Sequence, residues 1–272
     1  MTGLRRRWGR ASIAAGALII GAGLAISLAT ATTAPTATTS TQGIDVSSLQ
    51  HPQNAAINWP AVAAAGNTFT AIKASEATYY VNPYFASDAV QAARAGLFVM
   101  PYAFANPFPA KDNGSARDQA DAAVRQLSEA AVPASQMLPL ALDIEADPYA
   151  ARQHSNRCYG LSQAAMVTWI RQFLAQAQLK TGKKPVIYTT AAWWNACTGN
   201  SAAFGGYPLW IASYGMSNPK LPAGWRDYTF WQHANRGAVP GITGSANDQD
   251  YLGSPSGNPI ALTQFQALTS SR

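Results

Sequence analysis

The chain has 272 residues, of which 48% are hydrophobic and only 12% are charged, against about 25% charged residues in an average soluble domain. This composition excludes a disordered or fibrous protein, because it supplies ample apolar surface to bury. The net charge of +6 does not indicate a nucleic-acid-binding protein, since residues 1–42 contain four arginines and no acidic residue and the rest of the chain carries only +2.

The first 31 residues have the three-part layout of a secretory signal. A basic start, with four arginines between positions 5 and 10, precedes an uncharged apolar run that ends in the small residues Ala29-Thr30-Ala31. This layout predicts export with cleavage after Ala31, although about 20 apolar residues would also suffice for a retained membrane anchor. The pair Arg6-Arg7 weakly resembles a twin-arginine signal, so the export route stays open. Residues 32–42 are rich in Thr, Ala and Pro, which is typical of a flexible linker.

From residue 43 onward, short β-like runs alternate with longer helical patterns. The strand candidates are Gly43–Val46, Thr68–Ala74, Leu97–Tyr102, Leu138–Ile144, Pro185–Thr189, Pro208–Ala212, Tyr228–Gln232 and Asp248–Tyr251. The helix candidates are Pro60–Ala65, Pro83–Ala95, Ala116–Ala131 and Ser162–Lys180. Helices separate the early strands, whereas the last three strands lie too close together for full helices between them. This order predicts one α/β domain over residues 43–272, folded as a parallel TIM-like barrel with about five α units and three nearly bare strands.

The segment Leu138–Glu145 carries the strongest chemical signal. Side chains alternate between the two faces of a strand, so its three leucines and Ile144 should face covering helices, while Asp143 and Glu145 end the inward row. The two carboxylates would lie roughly 6–7 Å apart, from ~3.3 Å of rise per residue, at the barrel face where such folds carry their chemistry. In a partly dry cavity, one should stay protonated near neutral pH while the other ionises. Glycosidic bond cleavage needs one protonated and one ionised carboxyl group. The alternative interpretation is that Asp143 and Glu145 are two solvated carboxylates in a loop.

Other strand ends add acidic and aromatic groups. Asp45 follows Gly43-Ile44 in the first strand, and Asp248 lies near the end of the last strand, which would neighbour the first in a closed barrel. Each alone is typical of a turn or capping residue, but with Asp143 and Glu145 they would converge on one site. Tyr and Trp rings can pack against the C–H faces of sugars. The aromatic residues expected in such a sugar site are Tyr102, Tyr188, Trp210 and Tyr214.

Other chemistries find less support. The histidines His51, His154 and His233 lack metal-ligand spacing and are typical of surface or second-layer positions. The chain has no glycine-rich phosphate loop and no Gly-x-Ser-x-Gly elbow, and we expect neither a metal nor a cofactor. Cys158 and Cys197 are the only cysteines, and export favours their pairing over a thiol nucleophile. That disulfide would tie two loops on the active face and add ~3–4 kcal/mol of stability.

Seven short stretches, spread over almost the whole chain after the linker, match the motifs of a known family. They are Gly43-Ile44-Asp45-Val46-Ser47, Ile72-Lys73-Ala74-Ser75-Glu76, Ala141-Leu142-Asp143-Ile144-Glu145, Cys158-Tyr159-Gly160-Leu161-Ser162, Pro185-Val186-Ile187-Tyr188-Thr189, Pro208-Leu209-Trp210-Ile211-Ala212 and Phe230-Trp231-Gln232. In this order they resemble the glycoside hydrolase family 25 lysozymes (Chalaropsis-type N-acetylmuramidases). The resemblance implies a deformed (β/α)5β3 barrel that cleaves the β-1,4 bond between N-acetylmuramic acid and N-acetylglucosamine in peptidoglycan.

The resemblance also implies roles for individual residues. It makes Glu145 the acid/base, Asp143 its partner carboxylate, and Asp45 and Asp248 the other active-site carboxylates. The family's site aromatics correspond to Tyr102, Tyr188 and Trp210, with Tyr214 nearby.

The chain departs from the family pattern at two places. Tyr102-Ala103-Phe104 stands where the family often has Tyr-His-Phe, and Asp248-Gln249-Asp250 stands where it usually has Asp-x-Asn. The second departure leaves the choice between Asp248 and Asp250 open. Two other functions also stay open: a chitinase-like hydrolase of another N-acetylhexosamine glycan, and a non-catalytic wall-binding lectin on the same barrel. The expected partner is the peptidoglycan glycan strand, bound by a monomer without nucleic-acid or protein partners.

Overall fold

The computed structural model describes residues 41–253 together with residues 267 and 268. Its strands are β1 (Thr41–Val46), β2 (Asn67–Glu76), β3 (Tyr80–Val81), β4 (Phe98–Phe104), β5 (Ala141–Asp143), β6 (Val186–Thr189), β7 (Leu209–Ala212), β8 (Phe230–Ala234) and β9 (Asp248–Leu252). Its helices are α1 (Trp59–Ala64), α2 (Phe85–Arg94), α3 (Ala116–Glu129), α4 (Gln163–Thr181) and α5 (Ala191–Thr198). The predicted secretory signal and all but the last two residues of the predicted linker lie outside the described residues. Within the described part, no helix is long and apolar enough to span a bilayer.

The strands close into a barrel. Their order in the sheet is β1-β9-β8-β7-β6-β5-β4-β2-β3, and β1 also pairs with β2. Eight strands therefore form the barrel, while β3 extends the end of β2 as a short hairpin. Barrel neighbours are parallel except at β9, which is antiparallel to both β8 and β1. The TIM-like (β/α)5β3 architecture is confirmed, but the parallel direction predicted for the last strand is wrong. The connection over residues 235–247 folds back on itself, with Gly237 bridging Ala246, so β9 starts at the end of the barrel where β8 stops.

The helices lie between the first six barrel strands in chain order. The four located by the sequence pattern are present, with ends shifted by at most two residues. The fifth α unit, expected but not placed, is α5. The Thr190 side chain accepts a hydrogen bond from the Trp193 backbone N–H at its start, and Gly199 adopts a left-handed conformation after its end. Because α5 has only eight residues, an apolar stripe of helical period does not stand out in its sequence. The capping residues at its two ends indicate the helix better.

Strand β5 is shorter than the predicted strand Leu138–Ile144. Leu140, Leu142 and Ile144 pack on the helix-covered side of the barrel, as predicted. Leu138 instead packs with the barrel interior. The prediction for Leu138 is wrong because it lies before the regular strand, and Pro139, which has no N–H to donate to the ladder, separates it from the alternating residues.

The barrel interior is apolar at depth and polar at one end. Phe69, Met100, Val186 and Phe230 fill its centre and are fully buried. Seven of the eight strands point their carboxyl ends the same way, so their last inward-facing side chains meet there. This end, called the mouth below, is where the fold concentrates the chemically active side chains.

Gly43 is required by close packing inside the barrel. A Cβ atom there would lie 2.4 Å from the ring of Phe69, which is itself buried against Phe230 with ring centroids 5.2 Å apart. We expect Gly43→Ala to lower the free energy of unfolding by about 1–3 kcal/mol through overpacking. Denaturant unfolding measures this change, with Gly206→Ala as the control, since a Cβ atom at Gly206 meets nothing within 4 Å. Equal stability of the two variants would contradict the close packing.

Candidate active site

All four predicted carboxylates come to the mouth of the barrel. Asp45 lies in β1, Asp143 ends β5, and Glu145 follows two residues later. Asp248 is the first residue of β9, rather than near its end as predicted, and it pairs directly with Asp45 across the sheet. It still reaches the mouth because β9 runs antiparallel to β1. Asp248 also interacts electrostatically with Asp143 and Glu145, so the four groups share one space.

The pKa values of Asp143 and Glu145 are both raised. Burial raises the pKa of Asp143 well above its usual value, and the charge of Glu145 raises it further. Burial, followed by the charge of Asp248, also raises the pKa of Glu145. The sequence predicted one protonated and one ionised carboxyl, whereas in the free protein both pKa values are raised. Among the described residues, the buried Oδ1 of Asp143 has no hydrogen-bond partner.

Gln232 links Asp45 to two of the predicted aromatic residues. Its Nε2 donates to Asp45 Oδ2 at 2.6 Å. Its Oε1 accepts hydrogen bonds from the hydroxyls of Tyr188, at 2.9 Å, and Tyr214. Sequence analysis assigned Gln232 no role, although its place in β8, two residues after the inward-facing Phe230, would have put it inside the barrel.

The aromatic residues divide into buried and exposed members. Tyr102, Tyr188 and Trp210 are at most 8% exposed, and the Trp210 ring centroid lies 4.6 Å from that of Tyr188 and 6.1 Å from that of Tyr102. These three residues form the floor of the mouth. Tyr214 lies beyond the end of β7 and is 43% exposed, so it alone of the four offers an open ring surface to a sugar.

Lys73 and Glu76 form an ion pair at the end of β2. Both residues belong to a motif found in the sequence, but sequence analysis assigned neither residue a role. The distance from Nζ to Oε2 is 2.6 Å, and the two side chains are 15% and 9% exposed. The hydroxyls of Tyr79, at 2.7 Å, and Tyr149 donate to Oε1 of Glu76. Burial would raise the pKa of Glu76, but the hydrogen bonds from Lys73 and Tyr149 and the charge of Lys73 outweigh it, so the pKa lies below its usual value.

The positive charge of Lys73 acts on Asp143 and Glu145. It opposes the rise in the pKa of both Asp143 and Glu145. The ion pair with Glu76 holds this ammonium group in place. The end of β2 therefore supplies the positive charge that partly balances the acidic mouth.

The histidines lie away from the four carboxylates. His154 is exposed, and His233 stacks on Tyr251 with ring centroids 3.9 Å apart. His51 is not at the surface: it is 6% exposed, and its Nε2 lies 2.8 Å from Asp88 Oδ2. No group of side chains suited to binding a metal occurs in the described residues.

The predicted disulfide joins Cys158 and Cys197, with Cα atoms 5.3 Å apart. Cys158 lies in the segment after β5, as expected, but Cys197 lies within α5 rather than in a loop. The bond ties the segment between β5 and α4 to the helix that follows β6. The indole N–H of Trp193 in the same helix adds a hydrogen bond to the Arg157 carbonyl at 2.9 Å.

Comparisons with known proteins agree on one family. The model of glycosyl hydrolases family 25 matches residues 44–242. Lysozyme M1 of Streptomyces globisporus is 37% identical over 235 residues, which cover 82% of this chain and 71% of that protein. The N,O-diacetylmuramidase of a Chalaropsis species is 35% identical over 211 residues, which cover 76% and 93%. The crystal structure of a bacterial lysozyme from Streptomyces coelicolor superposes with a TM-score of 0.73 at 36% identity, covering 85% of this chain and 98% of that one.

The ion pair at the end of β2 generates a pH-dependent prediction. A carboxylate whose pKa is lowered on folding stabilises the protein above its unfolded pKa, and this contribution disappears as the pH falls through its folded pKa. Glu76→Gln should therefore lower the free energy of unfolding by about 2 kcal/mol at pH 7, with a smaller loss near pH 3. Denaturant unfolding at both pH values measures this difference. The exposed Glu129→Gln is the matched control, and a pH-independent gap for Glu76→Gln would contradict the ion pair's contribution.

Proposed function

The chain belongs to glycosyl hydrolase family 25, and from this we propose that it is a lysozyme hydrolysing the β-1,4 bond between N-acetylmuramic acid and N-acetylglucosamine in peptidoglycan. The observation that carries the proposal is the pair Asp143 and Glu145, both with raised pKa values, at the mouth of the barrel. The relatives named lysozyme and N,O-diacetylmuramidase support the same activity. The proposed binding partner of this site is the glycan strand of peptidoglycan.

Glu145 is the proposed acid/base. A raised pKa keeps its carboxyl group protonated at a pH where an isolated glutamic acid would be ionised. It donates that proton to the glycosidic oxygen as the bond from this oxygen to C1 of the muramic acid breaks. The resulting carboxylate then takes a proton from the water that attacks C1, which returns Glu145 to its starting state. Partial exposure of Glu145 leaves it accessible to both the substrate and water.

Asp143 is the proposed partner of the substrate's N-acetyl group. The unpartnered Oδ1 would accept the acetamido N–H and turn the acetamido oxygen toward C1. That oxygen forms a bond to C1 as the leaving group departs, which inverts C1 without attack by a carboxylate. The water then attacks C1 from the opposite face and breaks this new bond, so the acetamido group is restored and the configuration at C1 is retained. In its anionic form, Asp143 would stabilise the positive charge that develops on the ring.

Asp45 and Asp248 are proposed to complete the acidic mouth. Asp45 is fixed by Gln232, and Asp248 raises the pKa of Glu145 through its charge. Tyr214 is the aromatic residue best placed to contact a sugar face, because its ring is exposed and its hydroxyl is anchored on Gln232. Tyr102, Tyr188 and Trp210 would shape the floor beneath the substrate.

Removal of the proposed acid should abolish catalysis without unfolding the protein. We expect the wild type to release new reducing ends on muramic acid from peptidoglycan, and Glu145→Gln to reduce the rate at least about 100-fold, the usual contribution of a general acid. Reducing-end analysis measures both the rate and the sugar released, with circular dichroism checking the fold and Glu129→Gln as the matched control. New ends on glucosamine would indicate a different glycan hydrolase, no release by the wild type would indicate a lectin, and residual activity near the wild-type rate would remove Glu145 from its role.

We also propose that the protein is exported. The support is the signal-like layout of the first 31 residues and the disulfide, which is typical of proteins in oxidising compartments. N-terminal sequencing of the extracellular protein should therefore begin after Ala31. Retention of Met1 on that protein would contradict cleavage and favour the membrane anchor.

A further inference from the structure

Asp250 is a fully buried carboxyl group one layer below the proposed catalytic residues. It is 0% exposed and lies in β9, two residues from Asp248 and on the same inward face. Its cross-strand partners are Gly43 in β1 and Gln232 in β8. Gly43 has no side chain, and the ring of Phe69 fills the space where its Cβ atom would lie. The next inward-facing residue of β1 is Asp45.

Asp250 contacts Trp210, in the floor of the mouth, and lies beside Asp45. Its Oδ1 accepts the indole N–H of Trp210 at 2.8 Å, while its buried Oδ2 has no hydrogen-bond donor among the described residues. The carboxyl group of Asp45 lies close enough to that of Asp250 for the two to share a hydrogen bond. Two carboxyl groups can hydrogen-bond each other only when at least one carries a proton. Gln232 Nε2 donates a hydrogen bond to Asp45 Oδ2 at 2.6 Å.

We propose that Asp250 is a positioning residue that shares one proton with Asp45, and that this proton fixes both Asp45 and Trp210 beneath the substrate. The role rests on the proposed lysozyme function. When the proton leaves, two adjacent buried anions repel each other and the arrangement of Asp45, Gln232 and Trp210 is lost. The alkaline limit of activity is therefore set partly by a group that does not touch the reacting bond.

The electrostatic surroundings agree with a retained proton. The groups facing Asp250 are Asp45 from β1, Asp248 from β9, Gln232 from β8 and Trp210 from β7. Burial raises the pKa of Asp250 to about 8, the hydrogen bonds from Trp210 and Asp45 lower it, and the charge of Asp248 raises it. Burial, then the charges of Asp250 and Asp248, raise the pKa of Asp45 well above its usual value.

The test compares the full-length wild type with Asp250→Asn, which keeps the shape of the side chain and replaces the labile proton with a permanent amide donor. A group whose pKa is raised on folding stabilises the protein below its unfolded pKa, and that contribution is lost as the pH rises toward the folded pKa. The melting temperature of the wild type should therefore fall relative to the variant between about pH 4 and pH 8, by about 5 °C. In wall lysis, the variant at pH 9 should retain about tenfold more of its own maximal rate than the wild type retains. The exposed Asp112→Asn is the control and should follow the wild type.

The two measurements separate this role from the proposed function. Thermal unfolding needs no substrate, so it tests the shared proton even if the protein lyses no cell wall. Parallel melting curves against pH for the wild type and Asp250→Asn would overturn the proposal. If Asp250→Asn does not fold, Trp210→Phe removes a hydrogen bond that lowers the pKa of Asp250, so the fall in melting temperature should extend to higher pH. An unchanged pH dependence in that variant would equally overturn it.

Discussion

The crowding of carboxyl groups in one sheltered space is the constraint from which the chemistry of this protein follows. Asp45, Asp143, Glu145, Asp248 and Asp250 share the mouth of the barrel, and the pKa of each is raised first of all by burial. Water cannot screen these groups from one another as it does on a surface. The protein therefore keeps protons at the mouth at a pH where solvated carboxyl groups have lost them, and an acid is available there for bond cleavage.

The barrel creates this crowding through strand direction. Most strands end at the mouth, whereas β9 begins there because it runs antiparallel to its neighbours. Its first inward residue, Asp248, thus meets Asp45 directly, and its next, Asp250, lies one layer deeper. The apolar residues below, such as Phe69 and Phe230, close the interior to water. Lys73, held by Glu76, limits the accumulated negative charge.

Sequence reasoning was strongest where a local pattern carries the information. The alternation in the segment before Glu145 indicated that Asp143 points inward, and the number and spacing of the strands indicated the barrel. It failed at Leu138, where the adjacent Pro139 interrupts the strand. It also failed where long-range contacts decide, as with the direction of β9 and the bridge that Gln232 makes to Asp45 across 187 positions. The deep burial of Tyr102 and Trp210 was equally beyond local patterns, because the depth of a side chain in a barrel depends on how all strands are staggered.

The most direct test of the central claim is the titration of the Glu145 carboxyl group by carbon-13 nuclear magnetic resonance, with its signal assigned by its absence from the spectrum of the glutamine variant. The account predicts a midpoint above 4.5, the value for an unperturbed glutamic acid, because burial and the charge of Asp248 both favour the protonated form. A midpoint at or below 4.5 would show that the crowded mouth does not retain the proton on Glu145, and would contradict the account.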